Sequence, residues 1–165
     1  MPLVAISLGS SLGPRLQHLQ AAVATLQVQP GLHLLHASRV SWTPPAGGVA
    51  RSAFLNAVLK AETTLPPLSL LQLCKSLEAR LGRRPARRYA ERVIDVDLLL
   101  YGDQIVQAPA LLVPHPRLAE RDFFLDLLAE VWPSAPNPFS GRPWAEGLPP
   151  RRHWPRVGSL QLSRR

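Results

Sequence analysis

Two stretches with helical spacing alternate with short apolar runs of strand length, and this order leaves few folds open. Leu16, Leu19, Val23 and Leu26 share one stripe of a helix predicted over residues 14–27. Leu70, Leu73, Leu77 and Leu81 do the same over a helix that Pro66-Pro67 opens and Gly82 stops. Strands are predicted at residues 3–8, 32–42, 54–64 and 93–101, the third with Phe54, Asn56, Val58 and Lys60 on one face. The order is β-α-β-β-α-β. That pattern predicts an α+β, ferredoxin-like sandwich with a mostly antiparallel sheet and helices on one face.

An added hairpin begins at Gly102-Asp103 with a short strand at Ile105-Val106. A C-terminal helix is predicted over residues 117–131, with Leu118, Phe124, Leu125 and Leu128 facing in. From Pro133 onward Pro, Trp, Gly and Arg recur without a period. The chain therefore divides into a domain at 1–140 and a basic Pro/Arg-rich tail at 141–165, read as irregular and dispensable for chemistry.

The net charge of +8 attracts anions without saying which. One cysteine, Cys74, excludes an intramolecular disulfide framework and is expected in the core. The N-terminal apolar run is too short for a signal peptide, and no run approaches a membrane span, so a cytoplasmic location is expected.

Asp95 and Asp97 are the sharpest chemical feature. Residues two apart on a strand share a face, so the two carboxylates stand side by side. Taken alone, such a pair is better read as the solvated outer face of an edge strand, and only its surroundings change that. Arg83, Arg84, Arg87, Arg88 and Arg92 lie just upstream. Guanidinium groups bind phosphate oxygens bidentately. A hard divalent cation with oxygen ligands, beside an arginine loop, is what phosphoryl or nucleotidyl transfer requires. Gly9-Ser10-Ser11-Leu12-Gly13 reads as a tight turn with a serine cap, since no Lys-Ser/Thr follows as in a phosphate-binding P-loop.

The segment Arg88-Tyr89-Ala90-Glu91-Arg92-Val93-Ile94-Asp95-Val96-Asp97-Leu98-Leu99 resembles the signature of the 6-hydroxymethyl-7,8-dihydropterin pyrophosphokinase family. Supporting blocks follow in order. They are Gly9-Ser10 with Leu12-Gly13, Thr43-Pro44-Pro45 with Gly47, Phe54-Leu55-Asn56, Glu78 with Leu81-Gly82-Arg83, Val113-Pro114-His115-Pro116, and Glu120-Arg121-Asp122-Phe123. The resemblance implies transfer of pyrophosphate from ATP to the pterin hydroxymethyl group, with AMP released, in folate biosynthesis.

It implies Asp95 and Asp97 as ligands of two Mg²⁺ ions, and Arg83 and Arg92 as catalytic cations. Glu78, Arg83, Arg88, Arg92, Leu98, His115 and Arg121 would contact ATP. Thr43, Pro44, Ala46, Asn56 and Asp95 would bind the pterin, with Phe54 and Phe123 stacking on its ring. Ser11 stands where the family usually has Asn, Tyr89 where it usually has Trp, and either Arg84 or Arg87 matches the second loop arginine. The implied partners are ATP and the pterin, with a monomeric chain and neither nucleic acid nor membrane. The rival reading is an RNA-binding module of the same strand order, disfavoured because its third strand should carry alternating aromatics.

Overall fold

The computed structural model describes residues 1–43, 53–82, 93–148 and 155–163. The first apolar run is β1 (Leu3–Ser10), followed by α1 (Arg15–Gln27). Next come β2 (Leu32–Ala37), β3 (Arg39–Thr43), β4 (Phe54–Thr63) and α2 (Pro67–Arg80). β5 (Asp95–Tyr101) leads into the hairpin β6 (Val106–Ala108) and β7 (Leu111–Val113), then α3 (Asp122–Val131). The chain closes with β8 (Pro136–Asn137), β9 (Arg142–Pro143), a 3₁₀ turn at Trp144–Gly147 and β10 (Arg156–Ser159).

The main sheet runs β10-β3-β4-β1-β5, with β2 also on β4, and its pairings are antiparallel. A single strand at 32–42 is therefore corrected to two. The break is Ser38. Its backbone N–H donates to the Val58 carbonyl at 2.9 Å, while its hydroxyl accepts the Val58 N–H at 2.8 Å. A side chain thus replaces a backbone acceptor in the ladder, a local irregularity of the kind that redirects a strand.

Alternation along the strands sorts the core onto two faces. Val4, Ile6 and Leu8 of β1 pack with Leu19, Val23 and Leu26 of α1 and Leu70, Cys74 and Leu77 of α2. Ala5, Val58 and Leu99 face the other way, against Leu118, Phe124, Leu125 and Leu128. α1 and α2 thus share one face, and α3 covers part of the opposite face. Cys74 is fully buried, as expected.

Two readings of the C-terminal third need correction. The last helix begins at Asp122, not Arg117. Residues 116–120 form turns closed by Leu118 N–H to His115 O and Glu120 N–H to Arg117 O, bonds that span three residues where an α-helix spans four, and the Arg117 N–H is taken by His115 Nδ1. The segment beyond Gly141 is not irregular throughout: the 3₁₀ turn packs against α3 and β10 joins the sheet beside β3.

Candidate active site

Gly9, on β1, sits opposite Asn56 of β4 and Asp95 of β5. A methyl group there would lie 2.9 Å from Asn56 Oδ1, 3.6 Å from Phe54 Cδ1 and 3.9 Å from Asp95 Cβ. Three strands therefore converge on a position that only glycine leaves open. The reading of Gly9 as a turn residue is corrected: it is a strand residue at which neighbouring side chains approach the backbone. A glycine ending an apolar strand run was the available signal.

Phe54 and Asn56 share the face of Val58, opposite to α1 and α2. Ser41 and Thr43 are registered against Asn56 and Phe54. The Asn56 amide Nδ2 donates to Thr43 Oγ1 at 2.7 Å, and both residues are buried. From α1, Arg15 donates to the Ala53 carbonyl at 2.7 Å and fixes the chain where it enters β4.

On β5, Asp95 and Asp97 alternate with buried Val96 and Leu98, and both are half-buried. Their partners across the ladder are Gly9 and Ser7, so they stand on the face of Asn56. Leu98 points the other way, into the core beneath the helices. α2 backs the acidic strand: buried Glu78 accepts the Val96 N–H at 2.8 Å, and Lys75 Nζ lies 3.5 Å from its other oxygen. Burial pushes the Cys74 thiol up to about 12, and the nearby Asp97 and Glu78 carboxylates add to the effect.

His115 is drawn to β5 by its N–H, which donates to the Leu99 carbonyl at 2.9 Å. Its Nδ1 accepts the Arg117 N–H at 3.2 Å, which leaves the proton of the neutral ring on Nε2. Burial lowers its pKa, as do Arg121 and Lys75, against an opposing pull from Asp95. His115, Arg121 and Asp95 therefore share one electrostatic environment. Arg121 stands over the Phe124 and Phe123 rings at 5.7 and 6.0 Å, and the two rings meet at 4.4 Å between centroids. Pro44, Ala46, Arg83, Arg84, Arg87, Arg88 and Arg92 lie outside the described residues.

Residues 5–133 match the model of the 7,8-dihydro-6-hydroxymethylpterin-pyrophosphokinase family. The chain belongs to that family. It is 41% identical over 128 residues to the 2-amino-4-hydroxy-6-hydroxymethyldihydropteridine pyrophosphokinase of Methylorubrum extorquens, covering 78% of this chain and 81% of that protein. It is 34% identical over 143 residues to the folic acid synthesis protein fol1 of Schizosaccharomyces pombe, covering 87% of this chain but 20% of that longer one. The crystal structure of Plasmodium falciparum HPPK-DHPS wild type with pteroate has the same fold, with a TM-score of 0.69 at 12% identity. That match covers 88% of this chain and 41% of that one.

Proposed function

We propose that the chain transfers a pyrophosphoryl group from ATP to the hydroxymethyl oxygen of 6-hydroxymethyl-7,8-dihydropterin, releasing AMP, as a cytoplasmic monomer in folate biosynthesis. The observation that carries this reading is the convergence on Gly9: an acidic pair on β5 stands beside an amide, a hydroxyl and a phenyl ring from β3 and β4. Counted with β2 and β3 as one strand, the sheet order is read as the ferredoxin-like split βαβ arrangement. The chemistry is assigned to residues 1–140.

On the pterin side, Asn56, held by Thr43, would read the donor and acceptor edge of the ring. Pro44 and Ala46 would line that edge. Phe54 and Phe123 would stack on the ring faces. On the nucleotide side, Glu78, Arg88, Leu98, His115 and Arg121 would form the ATP pocket. His115 would donate from Nε2 to a phosphate oxygen. Arg83 and Arg92 would neutralise charge that builds during transfer.

Asp95 and Asp97 would hold two Mg²⁺ ions. Their oxygens are the donors a hard cation takes, and no group of three His, Cys, Asp or Glu forms a metal site among the described residues. Triphosphate oxygens and water would complete the shell, and the metal would supply neutralisation of phosphate charge. Asp95, beside Gly9, would also border the reacting hydroxyl.

The RNA-binding alternative gains no support, since the matched family is a pyrophosphokinase family. The test is ATP consumption with Mg²⁺, with and without the hydroxymethyldihydropterin. Consumption that requires the pterin supports the reading. Consumption indifferent to it, or tight RNA binding with a steep salt slope instead, overturns it.

A further inference from the structure

The C-terminal segment does more than follow the domain. β10 lies against β3, with Arg156 opposite Ser41, Gly158 opposite Val40 and Ser159 opposite Arg39. Just before it, the Pro155 carbonyl accepts the Trp42 N–H at 3.0 Å and the Ser41 hydroxyl at 3.4 Å. Beyond it the chain runs along α1. Leu160 is buried in the core, and Leu162 packs on the same cluster.

Two glutamines of α1 tie that run down. The Gln20 amide donates to the Gln161 carbonyl and accepts the Gln161 N–H, both at 2.9 Å. Gln27 makes the same double contact with Ser163, at 3.2 Å each way. Seven residues apart on a helix and two apart on an extended chain, each pair shares a face, so one edge of the strap meets one face of the helix. A Cβ at Gly158 would lie 3.2 Å from the Leu16 methyls, so strand and helix also touch there.

We infer that residues 155–163 are a strap that holds the end of β3 in place and thereby positions Thr43 and Asn56 for the pterin. This rests on the reading that the pterin binds at those two residues. β3 pairs with β4 at Ser41, Trp42 and Thr43. Its start is anchored independently, because Arg39 bonds Asp126 at 2.6 Å and also pairs with Glu130. Its end is where Pro155 and Arg156 act. Without the strap, the Trp42 N–H loses its acceptor and the Thr43 end becomes a free sheet edge. The Asn56 amide then loses a fixed partner. Asp95, Asp97 and His115 lie on β5 and after β7, separated from β3 by β4 and β1. The strap therefore acts on the pterin side and spares the nucleotide side, and this proposal departs from the expectation of a dispensable tail.

The test compares the full chain with two variants: Gln20→Ala/Gln27→Ala, and a chain ending at Leu148. Each is measured for Trp42 amide exchange, for affinity toward a non-hydrolysable ATP analogue with Mg²⁺, and for pterin affinity at saturating analogue. The expected result is faster Trp42 exchange, pterin affinity lower by roughly tenfold or more, and analogue affinity within about twofold. A synthetic peptide of residues 155–163 should restore pterin affinity to the shortened chain. Unchanged pterin affinity despite fast Trp42 exchange overturns the inference, as does an equal loss for both ligands or unaltered Trp42 exchange in the shortened chain. Failure of the full chain itself to bind pterin overturns the functional reading instead, and Trp42 exchange still decides whether the strap holds β3.

Discussion

Glu78 of α2 accepts the backbone N–H of Val96 at 2.8 Å, and Val96 is the residue between the two aspartates of β5. β5 ends the order of the main sheet, so its outer N–H groups need acceptors from elsewhere. A buried carboxylate from the helix behind supplies one and sets the strand's position as it does so. Glu78→Leu leaves that N–H without an acceptor and should cost about 1–3 kcal/mol of stability. Glu78→Gln keeps an acceptor oxygen and should cost less than about 1 kcal/mol. Urea unfolding of the two variants distinguishes them. Equal losses would mean that charge, not the bond to Val96, is what matters.

Asp97→Asn should spare the fold and cut turnover by about 10²-fold or more. The side chain is half-buried on the face of Asn56 rather than in the core, and an amide is a poor ligand for a hard cation. Circular dichroism and a Mg²⁺ titration of activity check both halves. Wild-type activity at limiting Mg²⁺ would remove Asp97 from the metal site.

Gly9→Ala puts a methyl 2.9 Å from Asn56 Oδ1, inside any normal contact. Asn56 must then move, and its bond to Thr43 with it. Pterin affinity should fall by roughly tenfold or more, measured by fluorescence titration, while ATP affinity changes far less. Unaltered pterin binding would show that Asn56 does not read the ring.

His115 gives a pH signature. Burial and the Arg121 charge hold its folded pKa below the ordinary 6.5, so the unfolded chain binds the proton more readily. The stability contributed by the neutral ring is complete above 6.5 and is lost as pH falls from there through the folded value. Imidazole NMR signals should titrate below 6.5 and show the Nε2–H tautomer. A midpoint at or above 6.5 would contradict the described packing.

The helices and most strands were legible because their burial is periodic: Leu19, Val23 and Leu26, or Val96 and Leu98, announce their faces directly. The shared face of Phe54 and Asn56 followed from the same alternation. Ser38 was not legible, because its hydroxyl replaces a backbone group in a ladder and leaves no period. β10 was hidden for a related reason. It is anchored by backbone bonds to β3, the run after it is held by side-chain amides of α1 more than a hundred residues away, and its own pattern is mostly exposed. Gly9 looked like a turn because its role depends on strands that arrive later in the chain.

Attack at the β-phosphorus of ATP, as proposed, is read from the products of the reaction. The chain is incubated with ATP, Mg²⁺ and the hydroxymethyldihydropterin, and the nucleotide and pterin products are separated. The expected result is AMP and pterin diphosphate in equal amounts, formed only when all components are present. ADP as the main nucleotide, with a pterin monophosphate or with no pterin product, would contradict it.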